Sequence, residues 1–245
     1  MVGIATMAGK GGGGHVADAK PDDEATRSAT RMPAAKPRAG RPPRTVGDVD
    51  LEQPMYYVDD GPKVIALTID DGPSPVYTPQ VLQLLAKYNI TASFSMIGEN
   101  VTYYPSVARD VAAAGHTIVN HTWNHANLTS MKTAKVHAEI SQATDAIHAA
   151  TGKTPRLFRA PYGAWSRAVL DYCASEKLTP LDWSVDPRDW SRPGVKEIVT
   201  TIMRTTKTGS IILEHDGGGN RAETVAALKI VIPRLLGEGY RFTVP

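Results

Sequence analysis

KVIALTIDDGP, residues 63–73, is the stretch that decides the fold. Five of its first seven residues are aliphatic, and two adjacent carboxylates, Asp70 and Asp71, follow them directly. A short apolar run that ends in polar residues and a Gly-Pro turn predicts a β-strand. The polar residues therefore lie where this strand ends, at Asp70-Asp71-Gly72-Pro73.

Six further apolar runs follow: ITASFSMI (90–97), HTIVN (116–120), RLF (156–158), LTPLDW (178–183), SIILEH (210–215) and YRFTV (240–244). Amphipathic stretches that predict helices lie between them, at 78–88, 104–114, 134–151, 166–176, 195–206 and 222–238. Alternating strands and helices predict an α/β fold with a parallel sheet and the helices outside. Six or seven such units in fewer than 200 residues favour a distorted, incomplete (β/α) barrel of seven or eight strands over a complete eight-fold barrel.

The first 50 residues differ in composition from the rest. They contain no Leu, Phe, Trp or Tyr, and they include GGGG (11–14) and PAAKPRAGRPPR (33–44). Such a segment buries too little apolar surface to offset the entropy lost on ordering, so we predict a disordered tail at 1–50 and one domain at 51–245. A passive linker is favoured over a tether to an anionic surface.

Composition excludes several classes of protein. A chain of 245 residues with 42% hydrophobic residues can bury a full core, and its net charge of +2 is too small to indicate nucleic acid as a partner. A single cysteine, Cys173, rules out an internal disulfide framework. No apolar run is long enough to predict a membrane span, and no signal peptide is visible. Because no heptad pattern indicates a second subunit, we expect a monomer.

Polar residues gather where the predicted strands end, which is where folds of this kind place their functional sites. Five such places are present: DDGP (70–73), HTWNH (121–125), RAPYG (159–163), DPRDW (186–190) and His215. Two histidines four residues apart, His121 and His125, can face one metal ion, with a carboxylate from another strand as third ligand. Paired histidines are often structural, and Asp70-Asp71 taken alone fits a turn or a helix cap equally well.

The motifs TIDDGP (68–73), HTWNH (121–125), RAPYG (159–163), DPRDW (186–190) and LEH (213–215), in this order, resemble those of the polysaccharide deacetylases of carbohydrate esterase family 4, the NodB-homology domain. The resemblance covers about residues 60–245. It implies a distorted (β/α) barrel and a metal-dependent hydrolase that removes N-acetyl groups from a GlcNAc-containing polysaccharide, either peptidoglycan or chitin. An extracellular or cell-wall location is implied as well.

The resemblance also implies a metal site. Asp71, His121 and His125 would bind one divalent metal ion. Two histidines and a carboxylate with open positions suit zinc, and Co²⁺, Ni²⁺ or Mn²⁺ are alternatives.

Further roles follow from the same resemblance. Asp70 is the expected general base, and Arg159 its partner. The backbone N–H of Tyr162 is expected to stabilise an oxyanion. His215 is the expected general acid, and Asp189 its partner, with Asp182 and Asp186 as alternatives for the latter. The residues expected to contact substrate are Pro161, Tyr162, Trp190 and Leu213.

Some positions and functions stay open. Ile69 stands where the family usually has an aromatic residue, at a position without a catalytic role. Glu214 should point to the opposite face of its strand from Leu213 and His215, and is expected to be structural. The segments 100–105 and 216–221 are expected to be short loops beside an open groove. Alternative functions are O-deacetylation of acetylated xylan and a non-catalytic, metal-containing carbohydrate-binding module.

Overall fold

The computed structural model describes residues 53–245, and the tail predicted at 1–50 lies outside them. Within the described residues, seven strands pair in parallel. They are β1 (Val64–Gly72), β2 (Ser93–Met96), β3 (Thr117–Asn120), β4 (Leu157–Phe158), β5 (Thr179–Pro180), β6 (Ile211–His215) and β7 (Arg241–Thr243). The sheet order is β5-β4-β3-β2-β1-β6, and β7 pairs with the beginning of β1.

The two edges of this sheet approach each other. The chain after β5 returns to β6, where Val185 and Ile212 form an isolated parallel bridge and the Leu213 N–H donates to the Val185 carbonyl at 2.9 Å. The sheet thus curls towards closure without a complete ring of strands. This arrangement confirms the predicted distorted, incomplete (β/α) barrel.

Helices connect successive strands along the outside of the sheet. They are α1 (Thr78–Lys87), α2 (Gly98–Tyr103), α3 (Pro105–Ala113), α4 (Thr133–Thr151), α5 (Arg167–Ser175), α6 (Val195–Thr205) and α7 (Ala222–Gly237). Each of the seven predicted apolar runs contains a strand, and each of the six predicted amphipathic stretches contains a helix. Short 3₁₀ turns at Pro161–Gly163 and Asp189–Ser191 follow β4 and β5.

One expected loop is wrong. The segment 100–105 is mostly helical, because α2 covers its first part and α3 begins at Pro105. A helix of six residues is too short to give a clear periodic pattern, which is why the sequence did not reveal α2. Gly98 permits this helix to pack closely, since a Cβ there would lie 2.7 Å from Cε3 of Trp123.

Strand β1 is buried along its whole length, and its two faces contact different parts of the core. Ile65, Leu67 and Ile69 pack with residues of the outer helices, whereas Val64 and Ala66 face the barrel interior. This alternation follows the two-residue period of a strand. Because β1 has neighbours on both sides and on both faces, it fixes the position of the residues at its carboxyl end.

The carboxyl ends of the parallel strands meet at one end of the barrel. Asp70 at the end of β1 is in register with His215 at the end of β6, and with Ser95 of β2 on the other side. The backbone of β1 has an irregularity between Asp70 and Gly72, which turns Asp71 away from the regular alternation. Across residues 53–245, no helix has the length and apolar character needed to cross a bilayer.

Two leucines of α1 test the importance of the packing against β1. Leu85 is fully buried, whereas Leu82 is only partly buried against the same cluster. We expect Leu85→Ala to lower the free energy of unfolding by about 3 kcal/mol, because it leaves a cavity under the sheet. The matched Leu82→Ala should cost about 1 kcal/mol. Equilibrium urea unfolding measures both, and equal losses would contradict the assigned packing.

Candidate active site

Asp71, His121 and His125 come together at the carboxyl end of the barrel. The Nε2 atoms of His121 and His125 lie 3.4 and 3.3 Å from Oδ1 of Asp71. The three potential ligand atoms all lie within 4.8 Å of one another. Asp71 and His125 have positive φ angles of 71° and 62°, a sparsely populated backbone region for non-glycine residues that is found in turns and at functional sites.

The orientation of these side chains suits a cation. Nδ1 of His121 lies 2.8 Å from the carbonyl oxygen of Arg159, which can only accept, so Nδ1 carries the hydrogen and Nε2 presents a lone pair to Asp71. Nδ1 of His125 lies 3.1 Å from the hydroxyl of Tyr162. Oδ1 of Asp71 is buried, and no donor of the described residues forms a hydrogen bond to it. The lone pair of His121 Nε2 and the oxygen of Asp71 converge, with Nε2 of His125 beside them, and this arrangement fits a divalent metal ion.

The charge state of Asp71 agrees with this fit. Burial by itself raises the pKa of Asp71, but the neighbouring His125, His121 and His215 together hold it well below its usual range. Burial lowers the pKa of His125, so the neutral imidazole is favoured. An ionised carboxylate and neutral imidazoles are the forms that bind metal ions.

Asp70 and Arg159 form a buried ion pair beside these ligands. Nη1 of Arg159 donates to Oδ1 of Asp70 at 2.7 Å and to Oγ1 of Thr68 at 2.8 Å, and Nη2 donates to the carbonyl of Asp182 at 2.9 Å. Arg159 is fully buried, and its guanidinium therefore connects β1 with the segment after β5. Oδ2 of Asp70 remains 3.8 Å from Nε2 of His121, on the side of the three potential ligands.

His215 and Asp189 form a second buried pair. Oδ1 of Asp189 lies 2.7 Å from Nδ1 of His215, and its Oδ2 accepts from the His215 backbone N–H at 2.9 Å and from Oγ1 of Thr224 at 2.7 Å. The two alternative partners lie elsewhere. Asp182 accepts from Nε1 of Trp165 at 3.0 Å, and Asp186 accepts from the backbone N–H of Arg188 at 2.8 Å.

Each member of the pair shifts the pKa of the other: that of His215 rises and that of Asp189 falls. Burial lowers the pKa of His215, but attraction and hydrogen bonding to Asp189 outweigh burial and raise it to about 9. For Asp189, burial raises the pKa, and the opposing attraction of His215 brings it down to about 2. Both shifts favour a protonated His215 beside an ionised Asp189.

The residues expected to contact substrate lie around these pairs. Tyr162 and Trp190 are about half exposed at the surface, and Pro161 and Leu213 are buried. Leu213 lies two residues before His215, on the same face of β6. Tyr162 has a φ of 63° in the turn after β4, and its hydroxyl reaches His125.

Two residues of the site, Thr68 and Thr224, were not predicted from the sequence. Thr68 was detectable in principle, because it is a polar residue in an apolar strand and shares a face with Asp70. Thr224 comes from the first turn of α7, and no local pattern links it to Asp189. The loop 216–221 also contributes, since Gly217 packs on the backbone of Asp71 and a Cβ there would overlap the Asp71 carbonyl oxygen.

Known proteins that are similar to this chain are deacetylases. A family model described as polysaccharide deacetylase matches residues 57–181. A chitooligosaccharide deacetylase of Bradyrhizobium sp. (strain ANU 289) is 40% identical over 192 residues, which span 74% of this chain and 88% of that protein. A peptidoglycan-N-acetylglucosamine deacetylase of Bacillus cereus is 42% identical over 189 residues, spanning 76% of this chain and 88% of the relative.

Solved structures with a similar fold are a deacetylase and a carbohydrate esterase. The crystal structure of the Bc1960 peptidoglycan N-acetylglucosamine deacetylase matches with a TM-score of 0.75 and 30% identity, covering 77% of this chain and 89% of that one. A family 4 carbohydrate esterase from Streptomyces lividans matches with a TM-score of 0.69 and 33% identity, over 74% and 91% of the two chains.

Gly217 offers a test of how closely the loop holds Asp71. We expect Gly217→Ala to lower the free energy of unfolding by about 2 kcal/mol, because the added methyl overlaps the Asp71 carbonyl and the backbone must move. The matched Gly237→Ala, at the end of α7, has open space around its Cβ and should be neutral or stabilise by about 0.5 kcal/mol. Urea unfolding compares the two. Similar values for both variants would show that the loop does not constrain Asp71.

Proposed function

Because this chain belongs to the polysaccharide deacetylase family, a family of hydrolases, we propose that it removes N-acetyl groups from GlcNAc units of a polysaccharide, either chitin oligomers or peptidoglycan. The observation that supports this best is the presence of two oppositely charged pairs, Asp70–Arg159 and His215–Asp189, beside one potential metal site. One pair offers a base and the other an acid. Hydrolysis of an amide needs both.

Asp71, His121 and His125 would hold the metal ion, for which zinc is our first choice because nitrogen and carboxylate ligands with open positions suit it. Co²⁺, Ni²⁺ and Mn²⁺ are alternatives. When bound, a divalent ion there would polarise the acetyl carbonyl and lower the pKa of a nearby water molecule.

Asp70 is the proposed general base. Its Oδ1 is occupied by Arg159, whereas Oδ2 faces the ligand cluster and can accept the proton of the attacking water. Arg159 fixes the direction of the carboxylate and balances its charge. The buried position of the pair excludes bulk water, which strengthens its electrostatic effect.

His215 is the proposed general acid, and Asp189 positions it. An amine leaves a tetrahedral intermediate only when it is protonated, so a donor near the nitrogen is required. Hydrogen bonding of Nδ1 to Asp189 leaves Nε2 as the proton-donating atom. The backbone N–H of Tyr162 is proposed to donate to the developing oxyanion. Pro161, Leu213, Trp190 and the Tyr162 side chain are proposed to contact the substrate.

The alternatives differ in the bond cleaved or in whether any is cleaved. O-deacetylation of xylan would use the same residues, but an alcohol depends less on an acid than an amine does, and the N-deacetylase names of the relatives favour the amide. A binding module with a structural metal has no need of both charged pairs. We further propose that the enzyme is extracellular or associated with the cell wall, and that it is a monomer.

Released acetate tests the proposed function. We expect the purified protein with added Zn²⁺ to release acetate from a chitooligosaccharide or from peptidoglycan, and EDTA to abolish the release. An acetylated xylan should release none. Acetate from xylan alone would contradict the proposed amide substrate, and acetate that persists in EDTA would contradict the proposed metal dependence.

Asp70→Asn removes the proposed base while keeping the shape of the side chain. We expect kcat for acetate release to fall by at least about 100-fold, because the amide cannot accept the proton of the water. The control Asp110→Asn changes an exposed carboxylate on α3 and should leave kcat unchanged. A loss of about tenfold or less in Asp70→Asn, with metal binding unchanged, would instead favour the binding-module alternative.

The pH dependence of kcat reports the proposed acid. His215 can donate only while it is protonated, so kcat should fall as the pH rises through about 9, the pKa of His215. In Asp189→Asn the attraction that raises this pKa is lost, and the basic limb should move to lower pH. Steady-state rates from pH 6 to 10 measure both profiles. An unchanged basic limb in the variant would exclude His215 as the titrating group.

A further inference from the structure

Glu214 is a fully buried carboxyl group that the proposed mechanism does not use. It lies on β6 between Leu213 and His215, and its side chain points to the opposite face of the strand. A buried carboxyl is costly unless it is paired, hydrogen-bonded or neutral. Its environment therefore shows which of these states it adopts.

Glu214 forms no ion pair with a cationic side chain of residues 53–245. Among the described residues, no N–H or hydroxyl group forms a hydrogen bond to either of its carboxyl oxygens. Arg221 is the cation near it, but Arg221 directs its guanidinium to the carbonyl oxygens of Gly217, Gly218 and Trp190. Two anionic groups also face Glu214.

Those anionic groups are Asp189 and Asp186, and Asp189 is within hydrogen-bonding reach of Glu214. Two adjacent buried carboxyls cannot both be ionised, so one of them keeps a proton. Asp189 already accepts hydrogen bonds from the backbone N–H and the Nδ1–H of His215 and from the hydroxyl of Thr224. All three favour the charged form of Asp189. The proton therefore belongs to Glu214.

Burial and the negative charge of Asp189 act in the same direction on this group. Both raise the pKa of Glu214 well above its usual value, and Asp186 adds to the effect. The positive charge of Arg221 lowers the pKa of Glu214, and its effect is the smallest of these. The geometry and the electrostatics thus agree on a neutral side chain at neutral pH.

We propose that Glu214 is a protonated carboxylic acid that donates a hydrogen bond to Asp189 and thereby positions Asp189 against His215; this rests on the proposed role of His215 as the acid. Glu214 contacts neither the substrate side of the site nor the potential metal ligands, so it is a positioning residue. A carboxylate that accepts one more hydrogen bond is less basic and attracts the imidazolium less strongly. Glu214 thus keeps His215 acidic enough to release its proton.

Two substitutions separate this role from packing. Glu214→Gln keeps the shape and offers an amide N–H to Asp189, whereas Glu214→Leu keeps the volume and removes the donor. The histidine side chains of the zinc-supplemented, full-length protein are titrated by ¹⁵N NMR, with His215 assigned through His215→Gln. Infrared difference spectra between the wild type and Glu214→Gln detect the carbonyl stretch of a protonated acid.

We expect the pKa of His215 to be unchanged in Glu214→Gln and to rise by about one unit in Glu214→Leu, because Asp189 loses a hydrogen bond and becomes more basic. The kcat of Glu214→Leu should fall about tenfold at pH 7 with KM unchanged. The infrared spectrum should show a protonated carboxyl group in the wild type that Glu214→Gln lacks.

Three results would overturn the proposal. A lower pKa of His215 in both variants would mean that Glu214 is ionised, since each variant would then remove a negative charge. An unchanged pKa in Glu214→Leu would reduce Glu214 to a packing residue. Absence of the infrared band would exclude the neutral acid. The NMR and infrared results do not depend on deacetylase activity, so they remain decisive even if the proposed function fails.

Discussion

The buried ion pair between Arg159 and Asp70 is the interaction on which the rest of the site depends. It joins the end of β1 to the turn after β4, and through the Asp182 carbonyl it reaches the segment after β5. The carbonyl of Arg159 also holds the ring of His121, so one residue orients both the proposed base and a potential metal ligand. Removing one partner of a buried ion pair leaves an uncompensated charge, which typically costs about 3–5 kcal/mol. The geometry of the site is therefore coupled to the stability of the barrel.

Two further buried carboxyl groups follow the same rule. Asp189 is balanced by His215, and Glu214 by its own proton under the proposal above. Asp71 differs from both: its Oδ1 has two imidazole nitrogens nearby and no hydrogen-bond donor among the described residues. A divalent ion bound at this point would complete the balance of charges. The proposed chemistry follows from this distribution, with the proposed base Asp70 and the proposed acid His215 on adjacent strands beside the three potential ligands.

Most of the fold was predictable from the sequence because its strands are buried. A strand such as β1, which contacts the core on both faces, must be almost entirely apolar, and its polar end is conspicuous. The motif positions lie together because parallel strands bring their carboxyl ends to one place. Helix α2 was missed because six residues give no reliable period. Thr224 and the environment of Glu214 depend on the long-range contacts of Asp189 with α7 and with β6, which no local pattern encodes.

Anomalous diffraction at the zinc edge, from crystals of the protein grown with Zn²⁺, tests the central claim most directly. We predict one strong peak in the anomalous difference map between Asp71, His121 and His125, with Asp70 and His215 nearby on either side. A map without a peak at these residues, or with its only strong peak elsewhere on the protein, would contradict the claim that the buried charges are arranged around a catalytic metal ion.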